Sequence, residues 1–124
     1  MKTILLVDDE PIMLKMLKWR LETQGYQVIN AASGIEALKI IETQTIDIVI
    51  TDVRMPIMDG LTLVKKMKQL DQAPPCLVMS GHGDIDMNSL AQQVGANGYV
   101  SKPVKFEELN QLVEHNMNSL QKQN

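Results

Sequence analysis

The 124-residue sequence lacks a second cysteine, a long apolar run and a block of like charges. With Cys76 alone no internal disulfide can form, and its apolar neighbours predict a buried, inert thiol that suits a reducing cytosol. The apolar residues 4–7 are too few for a signal peptide or a membrane span. A net charge of -3 without a charged tail argues against direct nucleic-acid binding. We therefore expect a soluble, cytoplasmic protein.

Repeats, low-complexity segments and interdomain linkers are also missing from the sequence. A chain of 124 residues has the length of one compact domain, large enough to bury a core without disulfides or structural metal. We expect residues 1–124 to form this single domain, with no output domain in the chain.

Short apolar runs alternate five times with segments whose apolar residues recur every three or four positions. The predicted strands are 3–7, 27–29, 46–51, 76–79 and 98–100. Nearly continuous aliphatic runs are typical of parallel strands that are covered on both faces. The fold class is therefore α/β, with a five-stranded parallel sheet between two layers of helices. The apolar stripes of four predicted helices are Leu14, Leu17 and Leu21; Leu38 and Ile41; Val64, Met67 and Leu70; and Phe106, Leu109, Val113 and Leu120.

Some helix ends are also indicated locally. Ser33 and Glu36 have the spacing of a capping box, and Asp59 is placed to cap the helix that follows it. The fourth helix, near residues 84–94, has few apolar residues among many polar ones. We expect it to be the most mobile of the five.

Polar side chains follow four of the predicted strands, where a parallel sheet places its ligands. These residues are Asp8, Asp9, Asp52, Ser80 and Lys102. Carboxylates that lie close together need a cation to remain ionised, and Mg²⁺ prefers oxygen ligands and completes its shell with phosphate oxygens. With a lysine as a second positive charge, the set suits phosphoryl transfer to a carboxylate.

Each of these residues has a simpler interpretation when it is taken alone. Asp8 or Asp9 could cap the first helix ahead of Pro11, and Asp52 could begin a turn. Ser80 could be an ordinary turn serine, and Lys102 a solvated lysine. His82 and His115 have no spacing that suggests a ligand pair, so we interpret both as surface residues. The joint placement after alternating strands favours the functional interpretation.

Four segments resemble the signatures of the response-regulator receiver domain family: LLVDDEP at 5–11, DVRMPIMDG at 52–60, SGH at 80–82 and SKP at 101–103. The segment AASGIEAL at 31–38 is similar to the entry of the second helix in that family. The resemblance spans essentially the whole chain. It implies a flavodoxin-like (βα)5 fold with strand order 2-1-3-4-5.

The resemblance also implies roles for individual residues. Asp52 would be the phosphoacceptor. Lys102 would contact its phosphoryl group, aimed by a cis Lys102–Pro103 bond, and Ser80 would donate a hydrogen bond to it. The implied magnesium ligands are Asp9 and Asp52 directly, Asp8 mainly through water, and the carbonyl of Arg54. The side chain of Tyr99 would lie inward or outward according to whether Ser80 is hydrogen-bonded to the phosphoryl group. Ser80 and Gly81 stand where threonine and alanine are commoner.

Partners follow from the same resemblance. The donor would be a sensor histidine kinase or a histidine phosphotransfer protein in a two-component system, and the receiver of the signal a downstream protein or output domain. The face formed by helix four, strand five and helix five would change on phosphorylation, and a phosphorylation-dependent dimer is one further outcome. The domain would catalyse its own phosphorylation and dephosphorylation without turning over a free substrate.

Two other classes share parts of this pattern. A haloacid dehalogenase-like phosphatase also uses an aspartyl phosphate, but its D-x-D arrangement and cap insertion have no counterpart beside the adjacent Asp8 and Asp9. A flavodoxin-like cofactor binder would need a phosphate cradle rich in serine and glycine after the first strand, and the segment DDEP at 8–11 lacks one. A receiver cut from a longer regulator also stays open.

Overall fold

A computed structural model describes residues 1–81 and 86–122, with side chains up to residue 117. Five strands alternate with five helices along the chain. The strands are β1 (Thr3–Val7), β2 (Gln27–Ala31), β3 (Ile48–Asp52), β4 (Cys76–Ser80) and β5 (Gly98–Ser101). The helices are α1 (Pro11–Thr23), α2 (Gly34–Thr43), α3 (Gly60–Met67), α4 (Met87–Gln93) and α5 (Phe106–Lys122).

All neighbouring strands pair in parallel, in the order β2-β1-β3-β4-β5. This order confirms the predicted flavodoxin-like α/β fold. Because alternate side chains of a strand point to opposite faces, each strand contributes to two core layers. One layer packs the sheet against α1 and α5, and the other packs it against α2, α3 and α4.

Strand ends differ from the predicted ones by one or two residues. β3 begins at Ile48 rather than at residue 46, and Asp52 and Ser80 are the last residues of β3 and β4 rather than the residues after them. Asp52 and Ser80 still pair with the neighbouring strand through their backbone, and a hydropathy pattern cannot predict pairing at polar residues. The sheet itself therefore fixes the backbone of both residues.

The predicted helix stripes are correct for α1, for Val64 and Met67 of α3 and for Leu109 and Val113 of α5, and they need correction at other positions. Leu70 lies beyond the end of α3 and is 41% exposed, so it is not part of a buried stripe. In α2 the buried side chain is Ala37, and Leu38 and Ile41 are only partly buried against the same layer. The start predicted for the fourth helix at residue 84 and the side chain of Leu120 lie outside the described residues.

Local signals fixed two helix starts as predicted. Ser33 caps α2 by accepting a hydrogen bond from the Glu36 amide, and Asp59 caps α3 by accepting one from Thr62. Glu36 accepts in return from the amide of Ala32. Cys76 is fully buried, and that burial raises the pKa of its thiol to about 11. No helix in the described ranges is long and apolar enough to cross a bilayer.

Candidate functional site

Three carboxylates meet at the carboxyl ends of the adjacent strands β1 and β3. Val7 of β1 is in register with Thr51 of β3, so Asp8 and Asp52 come next on adjacent strands. Oxygen atoms of Asp8, Asp9 and Asp52 all lie within 4.8 Å of one another. Asp8 and Asp52 are buried and Asp9 is exposed, so the cluster opens towards solvent on one side. The structure thus brings together the acidic residues singled out in the sequence.

Lys102 supplies the positive charge of this site. Its Nζ lies 3.0 Å from Oδ1 of Asp52 and 3.9 Å from Oδ2 of Asp8. The amide of Lys102 donates to the carbonyl of Ser80 at 2.7 Å, and the Lys102–Pro103 peptide bond is cis, as the resemblance implied. Partial burial alone would lower the pKa of Lys102, but the hydrogen bond and charge of Asp52, with Asp8, raise it overall. The ammonium is therefore held in its charged form beside Asp52.

The carboxylate of Asp8 is buried, and only one of its two oxygens accepts a hydrogen bond from the described residues. Its Oδ1 accepts a hydrogen bond from the Glu10 amide at 3.0 Å, while its buried Oδ2 has no hydrogen-bond partner among the described residues. Burial is the main reason that the pKa of Asp8 is raised, and the nearby charge of Asp52 raises it further. A buried carboxylate oxygen aimed into an acidic cluster is the setting in which a hard cation binds. The donor set therefore fits a divalent metal ion.

The capping alternative for these aspartates does not hold. Glu10 occupies the N-cap position of α1, and it makes no side-chain capping bond. Pro11 takes the first helical position, where its missing amide costs no helical hydrogen bond. Asp8 instead bonds the Glu10 amide just ahead of the helix, which aims its second oxygen at the cluster.

The backbone of Asp52 is confined from two sides. The hydroxyl of buried Thr51 donates to the Asp52 carbonyl at 2.9 Å, and the amide of Val53 donates to Met79 on β4. Gly60, the first residue of α3, packs directly on Asp52, because a Cβ at that position would overlap the Asp52 carbonyl oxygen. Sequence reasoning missed this role of Gly60. A glycine in the first turn of a helix is a signal that backbone approaches closely there.

The remaining predicted residues lie around this cluster. Ser80 is buried on β4, one residue beyond the register partner of Asp52, and its hydroxyl donates to the carbonyl of Gly81 at 3.1 Å. Tyr99 of β5 is partly buried against the layer that contains α4. The side chain of Arg54 is exposed two residues after Asp52. His115 is exposed on α5 as predicted, and His82 lies outside the described residues.

Comparisons with known proteins agree with this architecture. The family model described as "Response regulator receiver domain" matches residues 4–114. The chain is 32% identical to the sporulation initiation phosphotransferase F of Bacillus subtilis, over 90% of each protein. It is 37% identical to the transcriptional regulatory protein GlrR of Escherichia coli, over 90% of this chain but only 25% of that relative.

Solved structures extend the similarity to the whole fold. A response regulator receiver domain protein from Clostridium thermocellum superposes with a TM-score of 0.93 at 32% identity, covering 100% of both chains. The match to the family model and the similarity to the sporulation phosphotransferase over 90% of each protein show the family. The acidic pocket of Asp8, Asp9 and Asp52 is typical of the phosphoacceptor site in that family. The chain belongs to the response regulator receiver domains, the CheY-like modules of two-component signalling.

Proposed function

We propose that this domain accepts a phosphoryl group on Asp52 from the phosphohistidine of a sensor kinase or a histidine phosphotransfer protein. The observation that carries the proposal is the 3.0 Å pair between Asp52 and Lys102 inside the cluster that Asp8 and Asp9 complete. Asp52 alone among the three carboxylates ends the central strand and contacts the lysine this closely. Its carboxylate is therefore the nucleophile of the site.

The reaction is a substitution at phosphorus. An oxygen of Asp52 forms a new P–O bond while the P–N bond to the donor imidazole breaks, and the imidazole leaves with the electron pair. Negative charge on the equatorial phosphoryl oxygens grows during this transfer. The Lys102 ammonium is placed to neutralise part of it, and the Ser80 hydroxyl, one strand away, becomes a donor to the phosphoryl group after it leaves the Gly81 carbonyl.

Magnesium is the cofactor we propose for this site. Asp9 and Asp52 would hold it directly and Asp8 mainly through water, with the carbonyl of Arg54 as a further ligand. When bound, the ion supplies positive charge that offsets repulsion between the carboxylates and the phosphoryl oxygens. Lys102 would keep Asp52 oriented, because its Nζ lies 3.0 Å from Asp52 and 3.9 Å from Asp8 and so links the two carboxylates.

Phosphorylation would be relayed through Ser80 and Tyr99 to the face formed by α4, β5 and α5. Val78 of β4 is in register with Tyr99 of β5, and Ser80 of β4 is in register with Ser101 of β5. A displacement at the end of β4 would therefore also displace β5. The target of that face is a downstream protein or output domain, or a second phosphorylated copy. The chain spans a quarter of GlrR and nine-tenths of the sporulation phosphotransferase, so a stand-alone module and a receiver of a longer regulator are both open.

The direct test is labelling with acetyl phosphate and magnesium, followed by mass spectrometry of the peptides. We expect one phosphoryl group on wild type and none on Asp52→Asn, because asparagine lacks the nucleophilic oxygen charge. The matched control is Asp71→Asn, which removes an exposed carboxylate away from the cluster and should label as wild type does. Wild-type labelling of Asp52→Asn would overturn the assignment.

A second test separates the metal from the nucleophile. Magnesium should raise the melting temperature of wild type, since a ligand that binds only the folded state stabilises it by mass action. Asp9→Ala should bind the ion at least about tenfold more weakly, because it removes a carboxylate ligand. The same measurement on Asp71→Asn serves as the control. An unchanged magnesium affinity in Asp9→Ala would remove Asp9 from the site.

A further inference from the structure

Ile57 stands in a backbone conformation that side chains of its kind rarely adopt. Its φ angle is +71°, and the amide of Met58 donates to the carbonyl of Pro56 at 2.8 Å. Together these features define a γ-turn with positive φ at its central residue, which is the rarer and strained form. A β-branched residue at positive φ is an outlier, whereas glycine or asparagine takes this conformation at lower cost.

The side chain of Ile57 gains nothing within the described chain that offsets this strain. It is 95% exposed, more than any other large apolar side chain in the described residues. Packing contacts are the usual compensation for a strained residue, and an exposed isoleucine makes almost none. A contact with another molecule is where this side chain can contribute.

The loop that carries Ile57 is fixed beside the phosphoacceptor. The amide of Gly60 donates to the carbonyl of Val53 at 2.8 Å, and Gly60 packs directly on the backbone of Asp52. Met58 packs against the start of α2, where a Cβ on Gly34 would lie 2.7 Å from its sulfur. Ile57 and Gly60 are three positions apart in the chain, so their Cα atoms are at most about 11 Å apart. Ile57 therefore projects from an anchored loop at the edge of the site.

A protein that delivers a phosphoryl group to Asp52 must cover this edge, because Asp52 is only 5% exposed. A specific transient interface buries about 600–800 Å² on each partner, which is a disc of about 14–16 Å radius. A disc of that size centred on Asp52 covers Gly60 and reaches the loop that carries Ile57. Small-molecule donors such as acetyl phosphate reach Asp52 without making such a contact.

We propose that Ile57 is an apolar contact for the phosphohistidine-bearing donor protein, retained although it strains the loop; this rests on the proposed function of Asp52. The contact raises the efficiency of transfer from a protein donor, and it plays no part in the chemistry at phosphorus. Replacing Ile57 should therefore separate fold stability from donor recognition, because the two change in opposite directions.

Three variants test this. Ile57→Asn relieves the strained φ and removes the apolar surface, while Ile57→Val keeps the β-branch, the strain and most of the apolar surface. Leu70→Asn is the matched control, since it removes an exposed apolar side chain that lies near the amino ends of β3 and β4. The donors are acetyl phosphate and the fastest-transferring of the source organism's purified histidine kinases and phosphotransfer proteins, prelabelled with radioactive phosphate.

We expect Ile57→Asn to melt about 4 °C higher than wild type and to react with acetyl phosphate within about twofold of its rate. Its kcat/KM with the protein donor should fall about five- to tenfold, mainly through KM, because an apolar contact is lost on binding. Ile57→Val and Leu70→Asn should transfer within about twofold of wild type.

Two results would overturn the inference. One is an unchanged kcat/KM of Ile57→Asn with the protein donor, and the other is an equal loss with acetyl phosphate, which would place Ile57 in the site's own geometry. A lower melting temperature for Ile57→Asn would also contradict the premise that the backbone of Ile57 is strained. Failure of wild type to label on Asp52 with acetyl phosphate would instead reject the proposed function, so the two failures are distinguishable.

Discussion

Helices α1 and α4 lie on opposite faces of the sheet and are anchored to it very differently. α1 places Leu14, Leu17 and Leu21 in the core, whereas the seven residues of α4 place only Ala91 there. A fully buried leucine contributes roughly 1.5–3 kcal/mol, and an alanine much less. α4 is thus the helix that can change position at the smaller cost.

This difference bears on how a phosphoryl group could act at a distance. Moving a two-state equilibrium from 1:99 to 99:1 takes about 5.5 kcal/mol. One hydrogen bond from Ser80 to a charged phosphoryl group contributes about 1.5–3 kcal/mol. That bond alone falls short of this amount, so Lys102 and a bound metal ion would have to supply the rest. Weakly anchored α4 is the element that such a gain would shift while α1 stays in place. The following predictions test that contrast.

The largest effect should come from the core of α1. Leu21 is fully buried, so Leu21→Ala should lower the free energy of unfolding by about 3 kcal/mol through lost burial and a cavity. Ala91→Gly in α4 should cost only about 1 kcal/mol, the helix propensity difference. Urea denaturation followed by circular dichroism gives both values. Equal losses in the two variants would contradict the difference in anchoring.

Hydrogen exchange should rank the two helices in the same order. Amides of α1 should exchange only through near-global unfolding, and those of α4 at least about tenfold faster through local opening. Exchange followed by NMR on the unphosphorylated domain measures this. Similar protection in both helices would remove the basis for a mobile α4, which remains a prediction.

A smaller effect is expected from the proposed switch. Beryllofluoride, which stands in for the phosphoryl group, should shift amide resonances of residues 86–104 and leave those of α1 beyond its first turn nearly unchanged. In Ser80→Ala these shifts should fall by about half, because one charge-assisted hydrogen bond is lost. Wild-type shifts confined to the pocket around Asp52 would sink the proposed relay.

The smallest effect concerns the start of α4 and pH. The hydroxyl and amide of Ser89 donate to Asp86, and these bonds lower the pKa of Asp86 below its usual 3.8. A lowered folded pKa means that the cap stabilises α4 above the unfolded pKa and is lost as pH falls through the folded value. The Ser89 amide resonance should therefore titrate below pH 3.8, and Asp86→Asn, which caps without titrating, should abolish this. An unchanged titration in that variant would assign it elsewhere.

The sequence by itself determined the alternation of strands and helices, because the period of apolar residues is a local property. Two helix starts were equally readable, since Ser33 and Asp59 bond amides only three residues away. The set of polar residues at strand ends was also visible, and parallel topology predicted that they meet. These polar residues lie together because all five parallel strands end at the same edge of the sheet.

Only the tertiary structure decided which atoms come into contact and what each contact costs in free energy. The 3.0 Å pair of Asp52 with Lys102 joins residues far apart in the chain. The packing of Gly60 on Asp52 and the lack of a hydrogen-bond partner for Oδ2 of Asp8 among the described residues likewise depend on how the chain folds back at the site. Ile57 shows the same limit locally, because its positive φ arises from a loop pinned at both ends and opposes the preference of its side chain. Long-range packing, which no single segment records, overrides local preference at these positions.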